Sequence, residues 1–175
     1  SDGRKILDAI SSWWTNLHGH SHPKITEAIA RQAGELDHVI FAGCTHPLAV
    51  KVAEKIINLA PEGLKRVFYS DNGSTSVEVG LKMAFQYWQN KGRPEKKQFI
   101  ALEHAYHGDT IGAMSVGDPN EFVAPFRDLL FNVHHIPTPD LKTSTQECIH
   151  KLEALLEAEG DTIAAMIVEP MVQGA

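Results

Sequence analysis

Short β-branched runs alternate with amphipathic helical patterns along this 175-residue sequence, which reads as an α/β chain with a mostly parallel sheet. Strands separated by helices need crossover connections, and crossovers join parallel neighbours. Composition agrees, since 43% hydrophobic and 22% charged residues is a globular balance and not a disordered one. No apolar run approaches a membrane span. Sixteen Lys and Arg against 22 Asp and Glu leave a net charge of −6, which argues against a nucleic-acid or anionic-membrane partner. Cys44 and Cys148 fit neither a metal spacing nor a disulfide framework, and the polar N-terminus does not resemble a signal peptide. A reducing, cytoplasmic setting is the expectation.

Lys5 to Ile10 reads as a short strand after the Asp2-Gly3 turn. His22-Pro23 opens a helix, where a missing N–H costs nothing, and Ile25, Ile29, Ala33 and Leu36 keep one face. A second helix follows Thr45-His46-Pro47 with Leu48, Val52, Ile56 and Leu59 as its stripe, and Pro61 stops it. Arg66 to Ser70 reads as a buried strand ending in the turn Asp71-Asn72-Gly73-Ser74. A long helix is expected over about 75–90, with Val77, Leu81, Ala84, Phe85 and Trp88 inward. Gln98 to Leu102, Asn132 to Ile136 and Ile163 to Val168 are the remaining strands. Before the last of them, Ser144 to Glu147 matches a capping box for a helix carrying Ile149, Leu152 and Leu156. The sequence stops soon after a strand, in the Gly-containing stretch 172–175, so part of a domain is expected.

Chemistry concentrates where strands hand over to loops. Gly73 and Ser74 stand where a strand's carboxyl end meets a helix N-terminus, whose free N–H groups and positive dipole end favour a phosphate. The plain alternative is that Ser74 or Thr75 caps the helix. Tyr106-His107-Gly108-Asp109 follows the next strand and so belongs at the same sheet edge. There an aromatic ring could stack on a flat ligand, or Tyr106 could pack on the core with Asp109 capping the next helix. Ser12-Trp13-Trp14 holds adjacent tryptophans that in a strand point to opposite faces and in a loop could line an apolar pocket. His18, His20 and His22 alternate, yet no Cys, Asp or Glu lies inside their loop to complete a metal shell, so a polar loop is expected there.

Asp71-Asn72-Gly73-Ser74, Tyr106-His107-Gly108-Asp109 and Glu169-Pro170, each at the end of a strand, together resemble the class III pyridoxal-phosphate aminotransferases of fold type I. Ser12-Trp13-Trp14 with Gly19, Thr45-His46, and Tyr106 to Thr110 are most similar to one branch. That branch passes an amino group from S-adenosylmethionine to 8-amino-7-oxononanoate in biotin biosynthesis. The resemblance implies a partial large, cofactor-binding domain over 1–175. It implies Gly73, Ser74, Tyr106 and Glu169 as pyridoxal 5'-phosphate residues, and Trp13, Trp14, Tyr106 and Asp109 as substrate residues. It also implies a homodimer; no metal ligand is expected, on the histidine spacing above. The attaching Lys, the Asp for the pyridine nitrogen and the small C-terminal domain are expected beyond Ala175, so no catalytic residue is assigned here. Two readings stay open beside it. One is a class III enzyme for ornithine, acetylornithine or 4-aminobutyrate; the other is a non-catalytic α/β fragment.

Overall fold

A computed structural model describes residues 2–174. The chain divides into two compact units, Ser1–Val67 and Phe68–Ala175.

In the first unit, α2 (Pro23–Glu35) and α3 (Pro47–Leu59) each begin with proline at the first helical position, as expected. Each closes on a backbone bond, Leu36 N–H to Gln32 O and Ala60 N–H to Ile56 O. Their stripes stay partly exposed, with Ile25, Ile29, Val52 and Ile56 all accessible. The expected strand at Lys5 to Ile10 does not form. Asp8 instead turns back, accepting the Ser12 N–H (2.9 Å) and hydroxyl (2.7 Å), and local side-chain bonds of this kind compete with a ladder. Ser11–Trp14 then makes one left-handed turn, α1, with φ of 51, 46, 59 and 71° at its four residues.

The second unit is layered. Its sheet has the order β2-β1-β3, all parallel, with β1 (Gln98–Leu102) between β2 (Val133–Ile136) and β3 (Ile163–Met166). Alternation along β1 serves two helices at once. Phe99 and Ala101 pack with Leu81, Val77 and Ala84 of α4 (Gly73–Asn90) and with Val116. Ile100, together with Ile136 and Ile163, packs with Leu152 and Leu155 of α6 (Thr145–Glu159). The face of α6 is rotated from the expected one: Cys148, Leu152 and Leu155 turn inward while Ile149 and Leu156 stay over 40% exposed. The Ser144–Glu147 capping box forms as read. Between β1 and β2 lie the short α5 (Ile111–Ser115) and a 3-10 turn over Ala124–Leu129.

Arg66 to Ser70 is not a strand and joins no ladder among the described residues. A strand-like run becomes a strand only where a neighbouring strand takes up its N–H and C=O groups, and among the described residues no strand pairs with 66–70. β3 is likewise shorter than read, ending at Met166.

A bulge marks the β1–β3 pairing, because Gln98 faces Ile163 while Phe99 faces Ala165. The extra residue is Ala164, whose carbonyl accepts the Trp88 indole N–H at 2.7 Å. The Lys96 ammonium lies 4.8 Å over the same indole and donates to Gly160 O and Ile163 O. Trp88→Phe keeps the ring but leaves the Ala164 carbonyl without its donor. Urea unfolding of this variant is expected to show a loss of about 1–3 kcal/mol with an unchanged slope.

Candidate functional site

Parallel strands end at one edge, so the loops after β1, β2 and β3 meet there. Gln173 ties all three: its amide donates to Glu103 O (2.9 Å) after β1 and to the Thr138 hydroxyl (3.1 Å) after β2. Thr138 in turn donates to Glu103 O at 2.5 Å.

The N-terminus of α4 arrives at the same edge. The helix starts at Gly73, two residues earlier than read, because Asn72 and Thr75 form the capping box: Thr75 N–H to Asn72 Oδ1 (3.0 Å) and Asn72 N–H to Thr75 Oγ1 (3.1 Å). Thr75, not Ser74, therefore shares in the cap. The Ser74 hydroxyl accepts the Asp109 N–H at 3.3 Å, joining α4 to the loop after β1. Among the described residues no hydrogen bond engages the Gly73 or Ser74 N–H, and a side chain at 73 would meet nothing within 4 Å. Two donors at a helix dipole's positive end are thus left without a hydrogen-bond partner among the described residues.

Gly108 makes this approach possible. Its φ of 123° disfavours any side chain, and a Cβ there would run into the Ser74 hydroxyl. Tyr106, 42% exposed, donates its hydroxyl to Asp109 Oδ2 at 3.0 Å. Burial first, and then the Asp109 carboxylate, holds the phenol above its ordinary range. Glu169, after β3, accepts the Tyr106 N–H (3.1 Å) on one oxygen and the Gly174 N–H (2.6 Å) on the other. The loop residues predicted from the sequence thus form one connected set: Ser74 to Asp109, Asp109 to Tyr106, and Tyr106 to Glu169.

His107 escaped the sequence reading as a residue in its own right. Its Nε2 is buried without a hydrogen-bond partner among the described residues. Burial pushes the imidazole below its ordinary value, a nearby Glu169 pulls the other way, and His135 adds to the depression. Glu78 was also missed: its carboxylate accepts three donors from Thr110, Gly112 and Ala113. The signal was available, since Glu78 is one helical turn beyond Ser74 and so on the same face. Two grooves of this unit, about 380 and 440 Å³, flank α4 and contain none of Ser74, Tyr106, Asp109 or Glu169.

Trp13 and Trp14 belong to the other unit, where they are 73% and 62% exposed on the left-handed turn. Such a turn costs roughly 1–2 kcal/mol per L-residue. Asp8 offsets part of that through its bonds to Ser12, and its second partner is His20, at 2.7 Å. The Ser12 bonds, with His20 behind them, pull the Asp8 carboxyl down to about 2. His20 is thereby engaged with a carboxylate.

The aminotransferase class-III family matches residues 1–175. The adenosylmethionine-8-amino-7-oxononanoate aminotransferase of Synechococcus elongatus is 52% identical over 182 residues, spanning 100% of this chain and 42% of that protein. The enzyme of the same name from Geobacter sulfurreducens is 44% identical, spanning 100% and 41%. Among solved structures, the Methanocaldococcus jannaschii protein of that name superposes with a TM-score of 0.84 at 38% identity, over 94% of this chain and 36% of that one. An amine transaminase from an uncultivated Pseudomonas species, in its PLP-bound form, gives 0.88 at 36% identity, over 98% and 41%. The chain spans about two fifths of the length of the curated relatives it matches.

His107 generates a pH prediction. Its folded-state value lies below the ordinary 6.5, so the unfolded chain takes up the proton first. The neutral imidazole's contribution is complete above about 6.5 and is lost as pH falls through the folded value. Urea midpoints taken between about pH 7 and pH 5 are expected to drop further in the wild type than in His107→Gln. Parallel pH curves for the two proteins would refute this.

Proposed function

The chain belongs to the class III aminotransferases, and from that premise we propose that it forms the cofactor-cradling part of a pyridoxal 5'-phosphate enzyme. The reaction is transfer of an amino group from S-adenosylmethionine to 8-amino-7-oxononanoate, giving 7,8-diaminononanoate in biotin biosynthesis. The observation that carries this reading is the Ser74–Asp109 hydrogen bond, which couples a helix N-terminus with unused donors to the loop bearing Tyr106.

The residues fit the cofactor's parts. A phosphate suits the Gly73 and Ser74 N–H groups, since helix N-termini favour anions. The half-exposed Tyr106 ring offers a face for a pyridine, and its hydroxyl is held by Asp109, which keeps the ring in one orientation. Glu169 fixes the backbone under Tyr106 and so acts on that ring's placement. Asp109 retains carboxylate capacity for a substrate amine. Trp13 and Trp14 present exposed indoles, the apolar surface that a long-chain amino ketone needs. Pyridoxal phosphate, when bound, supplies the electron sink that lets the carbon bearing the donor amine lose a proton. Each transfer turns the donor's amine into a carbonyl and the acceptor's carbonyl into an amine. No residue among these 175 is assigned the proton transfer itself, and the eleven lysines are not assigned the cofactor's attachment. Assembly as a homodimer and a cytoplasmic setting complete the reading.

The test uses the protein that contains this sequence. Ser74→Ala is expected to weaken cofactor retention, by up to about thirtyfold, without unfolding the protein. Tyr106→Phe should retain most binding because the ring face remains, while Tyr106→Ala should loosen it. Formation of 7,8-diaminononanoate with S-adenosylmethionine as donor is the expected activity. Transfer only from 4-aminobutyrate or ornithine would overturn the substrate assignment, and unchanged cofactor affinity in Ser74→Ala would overturn the phosphate site.

A further inference from the structure

We infer that Glu78 is a positioning residue that sets where the loop carrying Tyr106 and Asp109 stands against the N-terminus of α4. The inference rests on the proposed cofactor reading for its consequence and on the side-chain geometry for its substance.

Ser74 and Glu78 are four residues apart, so successive turns of α4 present them on one face. Both reach the same short stretch of chain. Ser74 accepts from the Asp109 N–H at 3.3 Å. The Glu78 carboxylate accepts from the Thr110 hydroxyl (2.5 Å), the Gly112 N–H (2.7 Å) and the Ala113 N–H (3.3 Å), all on one oxygen. Thr110 itself places no side chain on the first turn of α5, and the Gly112 and Ala113 donors there are satisfied from α4. Gly112 is part of the same fit, because a Cβ there would run into the carboxylate.

Two points of contact define an alignment where one would allow a pivot. With Glu169 on the Tyr106 N–H and Ser74 on the Asp109 N–H alone, the chain beyond Asp109 would stay free to turn about those contacts. The threefold bond to Glu78 holds the segment immediately following, 110–113, and removes that freedom. Bonds to an ionised acceptor are stronger than neutral ones, and this acceptor takes three. Glu78 therefore governs how the Tyr106 ring and Asp109 carboxylate are presented above Gly73 and Ser74, without itself needing to touch a ligand.

The experiment compares wild type, Glu78→Ala and Glu78→Gln, with exposed Glu153→Ala as the control, in the protein that contains this sequence. Without cofactor, hydrogen exchange at Asp109, Gly112 and Ala113 is expected to quicken in Glu78→Ala while the α4 and β1 amides keep their protection. With pyridoxal phosphate, Glu78→Ala should lose about tenfold or more in affinity and alter the induced circular dichroism of the bound ring. Glu78→Gln keeps one acceptor oxygen and should rescue part of both. Should Glu78→Ala fail to fold, Glu78→Gln carries the test through the same amides and the same dichroism. Wild-type exchange rates and wild-type dichroism in a folded Glu78 variant would overturn the inference. Failure of the wild type itself to bind pyridoxal phosphate would overturn the cofactor reading and the inferred effect on it, while the exchange result would still decide the alignment role.

Discussion

A five-residue strand bears the second unit. β1 is paired along both edges and covered on both faces, and Ile100 and Ala101 at its centre are 1% and 0% exposed. Such a strand has no freedom to slip, because a shift of one residue would exchange the side chains facing α4 with those facing α6. Its carboxyl end is therefore a fixed point. From it the chain passes through Glu103, His104 and Ala105 into Tyr106, with His104 held at a φ of +62°. Strain of that kind persists only where the surroundings over-determine the backbone.

What hangs on that fixed point is a division of labour among small polar groups. Asn72 and Thr75 satisfy each other at the start of α4, which leaves Ser74 to reach across to Asp109. Glu169 spends both carboxylate oxygens on backbone donors, one on Tyr106 and one on Gly174. Gly108 supplies the absent side chain that the approach requires. None of these contacts is apolar, so the edge is held by directional bonds while the core below it supplies the bulk of the burial. An edge held this way is fixed by the geometry of its donors and acceptors and not by apolar packing.

Much of this was legible from residue order. The Ser144–Glu147 box, the prolines opening α2 and α3, and the apolar run at 98–102 act through neighbours in sequence, and each lies where it was read. The placement of Gly73-Ser74 and Tyr106 to Asp109 at one sheet edge also follows from parallel topology alone. The failures share a cause. Lys5 to Ile10 and Arg66 to Ser70 have strand-like patterns, but a strand needs a partner that a local pattern cannot supply. The rotated face of α6 depends on which of Cys148, Ile149, Leu155 and Leu156 meets Ile100 and Ile163, a choice made by packing.

Family membership, the α/β class, the helix boundaries set by caps and prolines, and the residue types gathered at one edge were all determined by the sequence by itself, because propensity, capping and motif spacing are short-range. Tertiary structure alone decided that the Ser74 hydroxyl serves Asp109 and not the helix cap, that Glu169 braces Tyr106, and that Glu78 reaches three donors more than thirty residues away. Trp13 and Trp14 ride a left-handed turn partly for a similar reason: the Asp8 that binds Ser12 locally is itself engaged by His20, 12 residues away. Each of these outcomes is a contest between acceptors for the same donors, and only the folded arrangement of the backbone settles which acceptor is within hydrogen-bonding reach.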